Sequence, residues 1–326
     1  MRLDLLSDDW DLQNKNLADF LSGHFNTEIS SIRVYPGLMS AVFETVFGLA
    51  LFYSHKKNAA MLRSNTYAFQ GVLPYLYKEG FQIQIANFDS GFNAKEFVEG
   101  LKKDTSFVIY SEDHPVTGEC VDHSELDLLL NEKKIFSIRV SHHLWKKGMS
   151  QLHPYHIRIC SVHPEFSFVQ FGEKLKSPTM TTQFLDWRYS KIKQTTEDEL
   201  KNFSEDKKII LDFEDHLPND WKKFIDSKNR IFDRAVICNE TLNAEAVLNQ
   251  IVRSYLPEYQ MPLPGHSTKL DCVNFARWKI FGHLDDWWKP LPRQNQIRGM
   301  LIVSLDLLKK MNLSEALQEV ESKCRI

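Results

Sequence analysis

Five residues with reactive or hydrogen-bonding side chains lie at or just after the ends of predicted strands: Tyr67, His114, Arg139, His142 and Lys174. Because the carboxyl ends of parallel strands share one edge of a sheet, we expect these side chains to face a single cleft. Lys174 is the candidate nucleophile of the set. Arg139 is expected within several ångströms of Lys174, and repulsion between two cations favours the neutral, reactive form of a lysine amine.

The elements that position these residues alternate between strands and helices. Short apolar or alternating runs predict strands at 58–62, 81–86, 106–110, 134–140, 158–162, 166–171 and 208–213. Helical runs fall at 41–54, 67–78, 94–103 and 123–132. This order predicts an α/β fold with a mostly parallel sheet of six or seven strands over about residues 55–215, and with helices on both faces.

The chain divides into three predicted regions. Residues 1–30 form an N-terminal helix and connector, residues 31–205 the large α/β domain, and residues 206–326 a smaller α+β domain. The polar, charged stretch at 190–208 is interpreted as a domain boundary or linker. In the smaller domain we expect a helix at 243–255, an antiparallel unit that includes 270–280 and 299–304, and a terminal amphipathic helix from Leu313.

Five segments occupy the loops that matter in such a fold. They are residues 35–41, 64–69, 110–118, 136–143 and 166–178. Read in this order, they resemble the cofactor-binding loops of the fold-type-I pyridoxal-phosphate (PLP) enzymes, a superfamily that includes aminotransferases, cysteine desulfurases and related lyases. Segment 110–118 is the most specific match, because a strand, a turn with Pro115 and Gly118, and a helix all fit an Asn-Pro-Thr-Gly loop.

The resemblance implies a role in cofactor binding for several residues. Ser40, with the backbone N–H groups at the start of its helix, would hold the phosphate. Tyr67 would stack on the pyridine ring, His114 would donate to the 3-oxygen, and His142 would contact the cofactor. Arg298 is similar in position to an arginine that binds the substrate carboxylate.

Two further positions decide what chemistry the resemblance allows. Lys174 falls where the family has its Schiff-base lysine, and a lysine reacts in this way only when it is neutral. Arg139 falls where the family has an aspartate that keeps the pyridine nitrogen protonated. Because arginine cannot accept that proton, the ring would be a weaker electron sink and transamination would be slow.

Two functional interpretations stay open. The first is a PLP-dependent aminotransferase or lyase that acts on a small amino acid through Lys174. The second is a degenerate relative that keeps the fold without the cofactor and serves as a binding or assembly subunit, which the altered positions Met39, His114 and Arg139 favour. Under either interpretation the resemblance implies a homodimer. The helix at 41–54 supports this, because it has more hydrophobic surface than the single apolar stripe that packing on one core requires.

Composition excludes several other classes of function. The formal net charge of −3 gives no strong attraction to nucleic acid or to an anionic membrane. The longest apolar run, residues 41–53, is shorter than a membrane span. The five cysteines are scattered without zinc-like spacing, so we expect reduced thiols, no metal and a cytoplasmic location.

Overall fold

The computed structural model describes residues 20, 22–24, 26, 32–35, 37–53, 55–62, 67–86, 92–114, 118–120, 122–147, 152–163, 166–175, 187–203, 207–218, 220–224, 230–255, 270–272 and 299–324. The chain divides into two compact units. The first contains Met1–Asp113 and Val121–Lys201, and the second contains His114–Cys120 and Asn202–Ile326. Most of the predicted N-terminal helix lies outside the described residues.

The first unit is built on a seven-stranded sheet. Its strands are β1 (Ile32–Tyr35), β2 (Asn58–Leu62), β3 (Gln82–Ala86), β4 (Thr105–Ser111), β5 (Phe136–Ser141), β6 (His156–His163) and β7 (Phe166–Phe171). They lie in the order β1-β7-β6-β5-β4-β2-β3. Five neighbouring strands of this sheet, β3, β2, β4, β5 and β6, are parallel to one another. Strand β7 runs antiparallel to both β6 and β1.

Helices cover both faces of this sheet. They are α1 (Gly37–Phe52), α2 (Tyr67–Lys78), α3 (Ala94–Glu99) and α4 (Ser124–Glu132). Apolar side chains of α1 and α2 pack with Phe107 and Ile138 in one core, and those of α3 and α4 pack with Val108 in another. A central strand between two helical layers must be apolar on both sides, and every residue of β4 and β5 is buried. The predicted α/β fold is therefore confirmed.

The second unit contains a smaller antiparallel sheet. Helix α5 (Trp187–Asn202) belongs to the first unit up to Lys201. In the second unit, α6 (Lys207–Asp215) is followed by the strands β8 (Lys222–Lys223), β9 (Arg234–Cys238), β10 (Leu270–Cys272) and β11 (Met300–Ser304). Among the described residues, three further helices belong to this unit: α7 (Ala244–Tyr255), α8 (Leu305–Lys310) and α9 (Leu313–Cys324). The strands lie in the order β10-β11-β9-β8. Side chains of α6, α7, α8 and α9 form one core with β9 and β11.

Three sequence predictions need correction. Residues 208–213 form part of helix α6 and not a strand, because Ile210, Phe213 and Glu214 follow a helical spacing that buries one side of the segment. The polar stretch at 190–208 is helical as far as Asn202 and not an irregular linker, although the division between the two units does fall within it, after Lys201. The sheet spans Ile32–Phe171 and not residues 55–215, because β1 adds to one edge and no strand of this sheet lies beyond β7 among the described residues.

None of the described helices is long and apolar enough to cross a membrane.

Candidate functional site

The carboxyl edge of the parallel strands is the place where the sequence predicts a cleft. β1 runs in the same direction as β6, because both are antiparallel to β7. This edge therefore carries the start of α1 after β1, and the chain after β2 that leads to α2. It also carries Glu112 and Asp113 after β4, and a 3-10 turn (Leu144–Lys147) after β5.

Lys174 lies at the opposite edge of the sheet. It belongs to a 3-10 turn (Glu173–Leu175) that follows the end of the antiparallel strand β7. Its backbone N–H donates to the carbonyl of Pro154 at 3.0 Å, and Pro154 precedes the first residue of β6. The expectation that Lys174 shares the carboxyl edge is wrong, because it assumed that the strand before the lysine was parallel. The Lys174 side chain is exposed.

Arg139 lies inside the sheet in a buried network of charges. Its Nη1 is 2.7 Å from Oδ2 of Asp127 on α4 and 3.2 Å from Oε1 of Glu112. The Tyr110 hydroxyl donates to the other oxygen of Asp127. Arg139 and Tyr110 are cross-strand neighbours, and both side chains reach the α4 face of the sheet. The guanidinium group thus forms ion pairs with two carboxylates of the same unit.

Arg158 completes the network from the neighbouring strand β6, where it is paired in register with Arg139. Its Nε lies 3.0 Å from both carboxylate oxygens of Glu112, and its Nη2 lies 2.9 Å from Oε1. Its Nη1 donates to Oε1 of Gln170 on β7 at 3.4 Å. Two arginines and two carboxylates, from Glu112 and Asp127, therefore balance in a buried cluster of zero formal charge.

The charges in this network reinforce one another. Burial raises the pKa of Glu112, but the charges of Arg158 and Arg139 outweigh burial and hold the pKa of this carboxyl below its ordinary value. Burial lowers the pKa of Arg139, but Glu112 and the other acidic groups around it outweigh burial, so the pKa of Arg139 is above its ordinary value. Glu112 and Arg139 are therefore ion-paired across the ordinary pH range.

Asp113 organises the turn that carries His142. The Asp113 side chain is fully buried, and its Oδ1 accepts from the backbone N–H of His142 at 2.6 Å. Its Oδ2 accepts from the backbone N–H groups of His143 and Leu144, the latter at 2.9 Å. The next N–H, that of Trp145, donates to Oγ of Ser141 at 2.9 Å. Four successive backbone donors after β5 are thus satisfied by side chains.

His142 follows β5 at the carboxyl edge, with its side chain buried, so the structure places it on the edge that the sequence predicts. His114 is also buried, but it belongs to the 114–120 segment of the second unit. Its backbone N–H donates to Glu119, and its carbonyl accepts from Gly118 at 2.9 Å. Gly118 has φ +68°, a conformation that favours glycine, and the other residues of the predicted turn, 115–117, lie outside the described residues.

The remaining candidates are placed as follows. Ser40 lies in the first turn of α1, half-buried, after Gly37, whose φ of +79° favours glycine. Tyr67 is the first residue of α2, and its side chain is not described. Arg298 lies outside the described residues. The expected closeness of Arg139 to Lys174 and the convergence of His114 with the other candidates remain predictions.

Sequence reasoning missed Glu112, Asp127 and Arg158. One signal pointed to them. Arg139 and Arg158 each interrupt an apolar strand in the middle of a predicted parallel sheet, and a charge buried there requires an acidic partner. The identity of the partners depends on cross-strand register, which the sequence alone does not give.

Comparison with known proteins finds similarity in structure but none in sequence. No protein-family model and no curated protein matches the sequence. Solved structures do match. A NifS-like protein aligns over 95% of this chain and 89% of its own, with a TM-score of 0.66 and 10% identity. SspA, solved in complex with cysteine, aligns over 93% and 89%, with a TM-score of 0.63 and 9% identity. Ureidoglycine-glyoxylate aminotransferase from Bacillus subtilis aligns over 75% and 74%, with a TM-score of 0.55 and 10% identity.

Proposed function

Because the chain has the fold of the fold-type-I PLP-dependent transferases, we propose that it is a non-catalytic relative that acts as a binding or assembly subunit. The observation that carries this proposal is the position of Lys174. The lysine that the sequence offers for the Schiff base follows the antiparallel strand β7, at the edge of the sheet opposite Asp113 and His142. An exposed side chain there does not face a cofactor held at the carboxyl edge.

The surroundings of Arg139 also do not fit the pyridine ring of PLP. A protonated pyridine nitrogen needs an anionic partner, and this position holds a cation that Glu112 and Asp127 already bind. The start of α1 fits a phosphate better, since free N–H groups at a helix N-terminus attract anions and Ser40 adds a hydroxyl. The residues present therefore fit part of the cofactor, its phosphate, but not its ring or its covalent attachment.

A second candidate function is an active PLP enzyme that acts on a small amino acid. The start of α1 supports this candidate, as does SspA, a similar structure that was solved with cysteine. In that case Lys174 would be the nucleophile, and Tyr67, His114, Arg139 and His142 would surround the cofactor. Arg298 would bind the substrate carboxylate.

Incubation with PLP distinguishes the two candidates. We expect purified protein to show no visible Schiff-base absorbance, and to retain no phosphopyridoxyl group after borohydride reduction and peptide mapping. A Lys174→Ala variant should give the same spectrum and the same map as the wild type. Specific labelling of Lys174 that this variant abolishes would overturn the non-catalytic proposal. Labelling of Lys146 or Lys147, which follow β5 at the carboxyl edge, would also overturn it, because another lysine would then form the Schiff base.

We propose further that the subunit is a homodimer and that α1 supplies its contact surface. One side of this helix carries a large apolar residue at every fourth position: Met39, Phe43, Phe47 and Leu51. Phe52 follows directly after Leu51. Met39 is 41% exposed, Leu51 56% and Phe52 73%, although apolar residues of this size are usually buried. The helix carries one charged residue, Glu44, so a second copy of the same surface meets it without strong charge repulsion. The reduced thiols of Cys160, Cys238 and Cys324 support a cytoplasmic location for this dimer.

Sedimentation tests this assembly. We expect the wild type to sediment as a dimer at micromolar concentration, and Leu51→Glu to weaken the dimer by roughly 30-fold or more, because a central interface residue contributes about 2 kcal/mol or more. Leu128→Glu is the matched control, since Leu128 is a leucine on α4 that is 51% exposed. Equal effects of the two substitutions, or a monomeric wild type, would contradict the assignment of α1.

A further inference from the structure

A cluster of buried polar atoms lies on the α4 face of the seven-stranded sheet, beside the charge network. Ser137 and His156 are paired neighbours on β5 and β6, and Arg139 is two residues after Ser137, so the three side chains share one face. Ser137 and His156 are completely buried, and Arg139 is 5% exposed. Among the described residues, the Ser137 hydroxyl, Nε of Arg139 and both ring nitrogens of His156 have no hydrogen-bond partner.

Two further polar groups lie close to this cluster without forming a direct hydrogen bond to it. Burial lowers the pKa of His156, and the backbone of Asp127 on α4 opposes this effect, although neither ring nitrogen forms a direct hydrogen bond. Burial raises the pKa of the Tyr110 hydroxyl, and Ser137 opposes this effect, again without a direct hydrogen bond from Ser137. Polar groups that face one another in this way are commonly bridged by an ordered water.

We propose that this cluster is a binding site for ordered internal water, which bridges Ser137, Arg139 and His156 beneath α4. A buried donor or acceptor without a partner loses the hydrogen bond that it makes with water in the unfolded chain, and folded proteins rarely leave several such atoms together. An internal water needs about two to four polar partners, which the cluster supplies. The inference goes beyond the proposed function and does not depend on whether a cofactor binds.

The mixture of donors and acceptors favours water over an anion. His156 is buried beside the network, and burial and the charge of Arg139 lower its pKa to about 2, so its ring is neutral at ordinary pH. A neutral imidazole has one donor and one acceptor, whereas Nε of Arg139 is a donor only. Water donates and accepts, so it satisfies both residues. An anion such as chloride would leave the acceptor nitrogen of His156 unpaired, and Glu112 and Asp127 already balance the two arginines of the network.

Magnetic relaxation dispersion of oxygen-17 water tests the site, because it counts the long-lived internal waters of the whole protein. We expect His156→Phe, which removes both ring nitrogens, to lower this count by at least one relative to the wild type. His216→Phe is the matched control, since His216 directly follows α6 and its side chain is 74% exposed. An unchanged count in His156→Phe, or an equal loss in His216→Phe, would overturn the proposal.

Crystallography of the wild type identifies the occupant and does not require that His156→Phe folds. In crystals grown with bromide as the only halide, we expect a density peak within about 3.2 Å of both Nε of Arg139 and a ring nitrogen of His156, without anomalous signal. An anomalous bromide peak at this position would overturn the proposal in favour of an anion site. The absence of any peak would also overturn it, because the cluster would then be dry.

Discussion

Replacement of Glu112 by glutamine is expected to lower the free energy of unfolding by about 3–5 kcal/mol, the usual cost of removing one partner from a buried ion pair. Glu112 is in contact with both Arg158 and Arg139, and all three side chains are almost fully buried. Without its charge, the two guanidinium groups of the network retain one of its two carboxylates, that of Asp127. Urea denaturation followed by circular dichroism measures the loss.

Two variants control this experiment. Glu197→Gln removes a carboxylate from the partly exposed pair with Lys193, where the charges are 3.9 Å apart, and should cost less than about 1 kcal/mol. The double variant Glu112→Gln with Arg158→Met removes one cation together with the anion, so it should recover part of the stability that Glu112→Gln loses. A cost for Glu112→Gln no greater than that for Glu197→Gln would show that the network contributes little.

The pH dependence of stability gives an independent check on Glu112. Its folded-state pKa lies below the ordinary glutamate value of 4.5, so the unfolded chain takes up the proton first as the pH falls. The contribution of Glu112 is complete above that ordinary value and is lost as the pH falls through the folded-state pKa. Glu112→Gln should therefore lose less stability on acidification than the wild type does.

The fold was largely predictable because its strands and helices carry strong local patterns. Buried strands such as β4 are short apolar runs, and α2 ends before Gly80, whose φ is +82°. The segment that forms α6 was mistaken for a strand, since a short run with Ile209 and Ile210 fits either structure until its neighbours bury one side. Local pattern thus gave the order of elements, and failed where burial decides between a strand and a helix.

The candidate site was less predictable because it depends on contacts between distant segments. The direction of β7 reverses the edge on which Lys174 lies, and nothing within residues 166–171 specifies whether that strand pairs parallel or antiparallel. The partners of Arg139 lie 12 and 27 positions away, at Asp127 and Glu112, and only the sheet register and the packing of α4 bring them together. The residue types were visible in the sequence, but their grouping was not.

Introduction of an acidic residue at position 139 tests the buried network and the non-catalytic proposal together. In a PLP enzyme of this fold, Arg139→Asp would supply the anion that the pyridine nitrogen needs. In this protein the same change replaces a cation that lies 2.7 Å from Asp127 and 3.2 Å from Glu112. Three carboxylates would then face one another with Arg158 as the only cation of the network. We therefore expect Arg139→Asp to cost more than the roughly 3–5 kcal/mol of Glu112→Gln and to prevent folding of the first unit.

Arg139→Met separates the loss of the cation from the gain of an anion. It should be destabilising but less so than Arg139→Asp, because it adds no carboxylate to the pair that Arg139 holds. Adding Asp127→Asn to Arg139→Asp should recover part of the stability, since one of the three facing charges is removed. Circular dichroism and urea denaturation give the order of the three variants. A folded Arg139→Asp variant that gains Schiff-base absorbance with PLP would contradict the order and the non-catalytic proposal together, because only a cofactor ring at position 139 makes the new anion favourable.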